Sequence, residues 1–191
     1  MTLPNKLTIL RIILIPLLIF FYLANFIAYG KIIAAVIFCL AIFTDFLDGH
    51  IARKHNLITN LGKFLDPIAD KLLVVAALLL LVVDKTIPNP YGLIALFIIL
   101  ARDFIVSVIR QMAATKNKVI AADKLGKLKT LTQDIAIIFL FILGYSNTVN
   151  LLQNISYTIF SITSFVILGI SVLLTIISGL NYVLKNKELI K

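Results

Sequence analysis

The sequence predicts an all-α integral membrane protein with six transmembrane helices. Three observations predict this class. The first two are that 61% of the 191 residues are hydrophobic, with a mean hydropathy of +1.06, and that only 14% are charged. The third is the presence of long apolar runs, since a helix that spans a bilayer needs about 20 consecutive apolar residues. Six such runs have the approximate bounds 7–28, 32–52, 65–84, 91–112, 131–147 and 155–184.

Local signals mark several helix starts and one turn. Asn5 precedes the first apolar run and has a side chain suited to an N-terminal cap. The third helix is predicted to begin near Gly62 or Lys63, which places Pro67 in the early turns, where proline is tolerated. The connection over 84–92 contains two of the five prolines and is typical of a turn-rich loop.

The last two apolar runs differ in length. The fifth is short for a membrane span unless its helix begins near Asp123. The sixth, over 155–184, is long enough to require a tilted helix or one that extends beyond the bilayer. Because no internal repeat or linker divides the sequence, we expect one membrane domain over residues 1–191.

The distribution of positive charge predicts the orientation. Of the 18 Lys and Arg residues, only Lys31 and Lys85 fall in the connections after the first, third and fifth helices. By the positive-inside rule both termini and the connections 53–63 and 113–130 face the cytoplasm. We therefore expect a multi-pass protein of the cytoplasmic membrane, with a polar active-site cavity on its cytoplasmic side. The net charge of +9 then has a membrane explanation and does not indicate a nucleic-acid partner.

Four of the nine acidic residues lie within one stretch of 26 residues, Asp45–Asp70. Asp45 and Asp48 are three residues apart, and Asp66 and Asp70 are four apart, so on helices each pair shares a face. A single pair at the end of a membrane helix is as often structural as functional. Two pairs on otherwise apolar helices favour a functional site, because charge within a membrane is costly.

The ligand chemistry of this stretch favours a hard cation. Four carboxylates would repel one another unless a cation lay among them, and oxygen ligands suit Mg2+ or Mn2+. Gly49 and Ala52 remove side-chain bulk beside the first pair, and Arg53 offers a planar fork for a phosphate or pyrophosphate. Lys63, beside the second pair, is a further candidate for phosphate binding. These residue types together indicate metal-assisted displacement at a phosphoryl centre.

This pattern resembles the signature motif of the CDP-alcohol phosphotransferase family. Eight positions match without a departure: Asp45, Asp48, Gly49, Ala52, Arg53, Gly62, Asp66 and Asp70. The resemblance implies an integral membrane enzyme, typically a homodimer, in which an alcohol attacks a CDP-linked substrate and CMP is released. It also implies that the four aspartates bind a pair of divalent ions and that Asp70 is the general base. Further, it implies that CDP is bound by Asp48, Gly49, Ala52, Arg53 and Gly62.

Two further polar groups are candidates for phosphate binding. Asn5, Thr8 and Arg11 share one face of the first helix, where they could contact the phosphates of a lipid substrate, although Arg11 could equally be a snorkelling anchor. A second group surrounds the 113–130 connection and comprises Arg102, Arg110, Lys127, Lys129 and Thr130. Both patterns resemble the branch of the family that forms phosphatidylglycerophosphate.

The acceptor is predicted from the second group. A neutral alcohol would not need several cations, whereas a phosphorylated alcohol would. Glycerol 3-phosphate fits, with CDP-diacylglycerol as the donor, and inositol phosphate remains an alternative of the same charge type. An alternative from another class is a divalent-cation transporter, since membrane carboxylates also line ion pathways. The clustering of all four acids towards one side of the membrane disfavours it.

Overall fold

The fold is helical throughout the part of the chain that the structure describes. The computed structural model describes residues 3–24, 26–55, 60–116, 123–149 and 154–187, without the side chains of 3–4, 46–55, 60–64, 148–149 and 154–155. Within these ranges the chain forms six α-helices and no strand. The helices are α1 (Leu3–Leu23), α2 (Gly30–His55), α3 (Asn60–Val83), α4 (Tyr91–Thr115), α5 (Lys124–Val149) and α6 (Asn154–Lys185).

Four of these helices contain described segments long and apolar enough to cross a bilayer. The segments are Asn5–Leu23, Tyr91–Thr115, Lys124–Asn147 and Ser156–Lys185. Their large side chains are widely exposed, as in Phe20, Phe97 and Leu173, which suits contact with lipid rather than with water. The predicted membrane character and all-helical class are therefore supported over the described residues.

Both ends of α1 differ from the sequence-based predictions. α1 ends at Leu23, although the apolar run continues to about residue 28, because a hydrogen-bonded turn follows in which Ile27 N–H donates to the Ala24 carbonyl at 2.9 Å. Apolarity marks burial in a membrane and does not by itself mark helix. The cap predicted at Asn5 is also wrong, because α1 begins at Leu3 and Asn5 lies within the helix.

The start of α5 shows how a short apolar run can belong to a helix of spanning length. The helix begins at Lys124, well before the run at 131–147, and therefore reaches a spanning length, as expected if it started near Asp123. Asp123 accepts two hydrogen bonds at this start, one from Lys124 N–H to its carboxylate at 2.9 Å and one from Lys127 N–H to its carbonyl at 3.2 Å. A carboxylate at a helix N-terminus is favourable because it meets otherwise unpaired N–H groups.

The chain divides into two compact units. The first comprises residues 1–87 and 140–152, and the second comprises residues 88–139 and 153–191, so that α5 contributes to both. A single domain over residues 1–191 stays a prediction. The candidate aspartates all belong to the first unit, and the basic residues near the 113–130 connection belong to the second.

In the first unit, α1 packs against α2 and α3 through one buried stripe. The stripe has helical spacing of three and four residues and consists of Asn5, Thr8, Arg11, Ile15, Leu18 and Tyr22. Its middle is apolar and both of its ends are polar. The buried face of α1 thus places polar groups at two levels, about 16 Å apart from Arg11 to Tyr22 at 1.5 Å per residue.

At the Tyr22 level a polar cluster ties several elements together. The Asp84 carboxylate accepts hydrogen bonds from the Tyr22 hydroxyl (3.1 Å), the Lys31 ammonium (2.7 Å) and the Thr86 hydroxyl (2.9 Å). Lys31 also donates to the Gly144 carbonyl at 3.1 Å. We call these five residues the outer cluster, since the sequence predicts that their level faces outward. It joins α1, the start of α2, the end of α3 and α5.

Candidate active site

The candidate aspartates lie on the facing ends of two consecutive helices. Asp45 is in the last half of α2, and Asp66 and Asp70 are in the first half of α3, on either side of the connection between the two helices. The Asp45 side chain is 47% exposed, Asp66 is half-buried and Asp70 is exposed. These carboxylates are therefore open to a ligand rather than enclosed in an apolar core.

α1 brings one carboxylate of each acidic pair to the same place. The Thr8 hydroxyl donates a hydrogen bond to Oδ1 of Asp66, and Arg11 Nη1 lies 2.8 Å from Oδ1 of Asp45. Thr8 and Arg11 are three residues apart on one face of α1 and are 1% and 0% exposed. Because one turn of a single helix contacts both carboxylates, Asp45 and Asp66 lie at the same end of the first unit.

The donor set fits a hard divalent cation. Asp45, Asp66 and Asp70 supply only oxygen atoms, and Mg2+ is usually held by one or two carboxylates together with substrate phosphates and waters. Among the described side chains, no three His, Cys, Asp or Glu residues are close enough together to hold a metal without other ligands. The side chain of Asp48 is not among those described. The described carboxylates thus suit an ion whose coordination is completed by Asp48 and by a phosphorylated substrate.

Six further candidates have a described helical backbone but no described side chain. They are Asp48, Gly49, Ala52 and Arg53 on α2, and Gly62 and Lys63 on α3. Their predicted roles in binding metal, CDP or phosphate lie outside the described residues and stay predictions.

Thr8 and Arg11 have partners that the sequence did not predict. Both were expected to contact phosphate, and both contact a carboxylate of the acidic stretch. The separation in sequence is large, 58 residues between Thr8 and Asp66, and no local pattern encodes such a pairing. An arginine one turn inside an apolar run was the available signal, because a cation at that depth requires a nearby anion.

In the second unit, two of the basic candidates share one carboxylate. Lys129 donates to both oxygens of Asp103 at 2.9 Å, and Arg102 Nη1 donates to Asp103 Oδ1 at 3.1 Å. The Lys129 side chain is only 2% exposed. Sequence reasoning assigned no role to Asp103, although an acid directly beside a cation within an apolar helix signals a buried ion pair.

The other basic candidates are exposed. Arg110 is exposed, and its guanidinium lies over the Tyr182 ring, 5.8 Å from its centroid, in a cation–π arrangement. Lys127 is exposed near the start of α5, and the exposed Thr130 hydroxyl donates to the Gly126 carbonyl at 3.1 Å. Arg110 and Lys127 are thus more accessible to an anionic ligand than Lys129.

A cavity in the second unit has the wrong chemistry for catalysis. It measures about 390 Å³, lies between α4 and α6, and is lined almost wholly by apolar side chains such as Phe97, Ile105 and Leu180. Arg102 reaches its wall mainly through its aliphatic stem, which passes Gly179. Such a cavity offers no general acid or base, so the acidic cluster remains the candidate active site.

The fold and the acidic cluster define a class of protein: a polytopic helical membrane protein with a cluster of carboxylates at helix ends. The family model for CDP-alcohol phosphatidyltransferase matches residues 1–177. That match covers most of the chain, and the chain belongs to this family. The resemblance carried by the eight-position motif is thereby confirmed.

Curated relatives match over most of the chain, and two of the three described here match over nearly all of it. A protein of Bacillus subtilis (strain 168) is 39% identical, with 99% of this chain and 97% of the relative covered. One of Rickettsia typhi is 42% identical, with 94% of each covered. A third, from Salmonella choleraesuis, is 37% identical over 72% of this chain and 75% of its own. All three are named CDP-diacylglycerol--glycerol-3-phosphate 3-phosphatidyltransferase.

Proposed function

We propose that this protein transfers the phosphatidyl group from CDP-diacylglycerol to glycerol 3-phosphate, giving phosphatidylglycerophosphate and CMP. Family membership gives the reaction class, and the names of the near-full-length relatives give the donor and the acceptor. The structural observation that carries the proposal is the contact of Thr8 and Arg11 with Asp66 and Asp45, since it brings both acidic pairs to one place.

The four aspartates Asp45, Asp48, Asp66 and Asp70 would hold two divalent cations, either Mg2+ or Mn2+. When bound, the metal would offset the negative charge of the pyrophosphate and make the phosphorus more electrophilic. Gly49, Ala52, Arg53 and Gly62 would hold the CDP moiety beside Asp48. Arg53 suits a pyrophosphate because its guanidinium can donate two parallel hydrogen bonds.

Asp70 would act as the general base. Its exposed carboxylate can accept the proton of the 1-hydroxyl of glycerol 3-phosphate. The hydroxyl oxygen then attacks the β-phosphorus of CDP-diacylglycerol and forms the new phosphate ester bond. The bond from that phosphorus to the bridging oxygen breaks, and CMP leaves with the bridging oxygen.

The phosphate of the acceptor requires cations of its own. We assign this role to the exposed residues Arg110 and Lys127. The neighbouring candidates are Arg102, Lys129 and Thr130. For the phosphates of the donor, the candidates are Lys63 and Asn5. Inositol phosphate has the same charge type, and the basic residues alone do not discriminate against it. The relatives' names favour glycerol 3-phosphate.

The membrane topology belongs to the same proposal. Six spans, cytoplasmic termini and a cytoplasmic active site in the cytoplasmic membrane follow from the charge distribution, and water-soluble CMP and glycerol 3-phosphate would then exchange with the cytoplasm. We also propose a homodimer, as the family resemblance implies.

Release of CMP by the purified protein tests the proposal. The protein in detergent is given CDP-diacylglycerol and Mg2+ or Mn2+, with glycerol 3-phosphate, inositol phosphate, inositol or serine as the acceptor. We expect CMP and phosphatidylglycerophosphate with glycerol 3-phosphate only, and no product after chelation of the metal. Release with another acceptor alone would overturn the assignment of the acceptor. Uptake of Mg2+ into sealed liposomes without CDP-dependent chemistry would instead support the transporter.

A further inference from the structure

Thr8 and Arg11 contact the acidic cluster from a helix that carries none of its acids. Both side chains are almost fully buried, at 1% and 0% exposure, whereas their partners Asp66 and Asp45 are partly open. A buried donor in a packed helix has few alternative rotamers, so it holds its partner in a defined place. The contacts thus run from a fixed scaffold to two ligand-facing carboxylates.

Each of these contacts is made to Oδ1 of its carboxylate. Thr8 donates to Oδ1 of Asp66, and Arg11 Nη1 lies against Oδ1 of Asp45. A contact at one oxygen restricts how the carboxylate can turn, and the other oxygen remains able to bind a cation. Partners of this kind, here a hydroxyl donor and an ion-pairing guanidinium, orient ligands in metal sites.

We propose that Thr8 and Arg11 are positioning residues, which fix the carboxylates of Asp66 and Asp45 so that their second oxygens bind a divalent cation. This inference rests on the proposed function, because it assumes the metal that the reaction needs. It replaces the expectation that both residues bind a phosphate of the lipid substrate. One residue acts on each acidic pair, so α1 sets the distance between the two pairs.

Because Arg11 is charged, a positioning role can be distinguished from a purely electrostatic effect of Arg11 on metal binding. If Arg11 were only a nearby cation, its removal would lessen repulsion and Mn2+ would bind more tightly. If Arg11 orients Asp45, its removal weakens binding despite that gain. Thr8 is neutral, so Thr8→Val reports on orientation without any change of charge.

Binding of Mn2+ to the purified full-length protein in detergent tests the proposal without turnover. Free Mn2+ is followed by electron paramagnetic resonance in wild type, Thr8→Val and Arg11→Met. Loss of ligand-orienting partners typically weakens metal binding about 10–100-fold. We expect a loss in that range for each variant, with substantial recovery in Thr8→Ser, which restores the hydroxyl.

Matched controls separate this effect from general damage. Lys6→Met removes a cation from an exposed position of α1, and Thr163→Val removes an exposed hydroxyl that bonds only to the Ile159 carbonyl of its own helix. Both should bind Mn2+ like wild type. Thermal unfolding of each variant without metal identifies any that are misfolded. If Thr8→Val or Arg11→Met is misfolded, Thr8→Ser or Arg11→Lys takes its place. Thr8→Ser should bind Mn2+ within about threefold of wild type. Arg11→Lys, which lacks the planar fork, should bind Mn2+ more weakly than wild type.

The outcomes that contradict the proposal are distinct. Unchanged binding in Thr8→Val, or tighter binding in Arg11→Met, would overturn the positioning role. Unchanged Mn2+ binding with a raised KM for CDP-diacylglycerol would return both residues to phosphate binding. Absence of Mn2+ binding in the wild type, both with and without CDP-diacylglycerol, would overturn the metal site of the proposed function itself.

Discussion

Asp103 is a single residue on which two cations depend. It accepts two hydrogen bonds from the buried Lys129 ammonium and one from Arg102. A buried lysine without its counter-charge carries a large desolvation penalty, which is why removal of one partner is more damaging than replacement of both. The ion pair therefore stabilises the second unit conditionally, as long as both partners are present.

Asp103→Asn should lower the stability of the protein markedly. Breaking a buried pair costs about 3–5 kcal/mol, and the partial exposure of Asp103 places the expected loss near the lower end, about 3 kcal/mol. Thermal unfolding in detergent measures it. Asp123→Asn is the matched control, because its ion pair with the exposed Lys185 is long, at 3.7 Å, and the amide keeps an oxygen that can accept the hydrogen bond from Lys124 N–H or from Asn181. The double variant Asp103→Asn, Lys129→Met should recover much of the loss, and its failure to do so would contradict the ion-pair account.

At the scale of single residues, the sequence predicted the candidate site residues better than the side chains that contact them. The eight-position motif identified the acidic stretch because its spacing is local. The partners of Thr8, Arg11 and Lys129 lie 58, 34 and 26 residues away in sequence. Such pairings depend on how helices pack, and a periodic pattern within one helix does not encode that.

Among the elements, α1 is the one that connects the two polar levels of the first unit. Its buried stripe contacts acids at both ends, with Arg11 against Asp45 and Tyr22 against Asp84. The outer cluster requires close approach at Gly144, since an added Cβ there would lie 2.8 Å from the Thr86 hydroxyl and 3.2 Å from the Tyr22 hydroxyl. The absence of a side chain at Gly144 thus permits the hydrogen bonds on Asp84.

Gly144→Ala should separate the hydroxyls of the outer cluster and destabilise the first unit. Overpacking of this kind costs about 1–3 kcal/mol. Gly169→Ala is the matched control, because nothing lies within 4 Å of a Cβ added to Gly169, and better helix propensity would stabilise by up to about 1 kcal/mol. The two variants are compared by thermal unfolding in detergent. Equal melting temperatures would contradict the packing argument.

The positions of the helices were mostly predictable from the apolar runs, whereas the residues at which the helices begin and end were less predictable. Each of the six apolar runs corresponds to one of α1 to α6, because a run of about 20 apolar residues dictates a helix in a membrane. The end of α1 at Leu23 and the start of α5 at Lys124 depend on backbone hydrogen bonds in turns. Hydropathy does not report such bonds.

For the whole molecule, the charge distribution makes a testable claim about orientation. We expect Tyr91, at the start of α4, to face outward, and Lys116 and Lys187 to face the cytoplasm. Single cysteines at these exposed positions, in a Cys39→Ser background, are treated with a membrane-impermeant maleimide. Tyr91→Cys should react in intact cells, whereas Lys116→Cys and Lys187→Cys should react only after permeabilisation. The reverse pattern would contradict the orientation.

The central claim is that the acidic cluster at the Thr8 and Arg11 end of α1 performs phosphatidyl transfer. The most direct measurement is incorporation of radiolabelled glycerol 3-phosphate into lipid by purified wild type, Asp70→Asn and Asp123→Asn, with CDP-diacylglycerol and Mg2+. Loss of a general base lowers the rate about 10²–10⁴-fold. We predict a loss of that size in Asp70→Asn and a rate close to wild type in Asp123→Asn. Wild-type activity in Asp70→Asn would contradict the account.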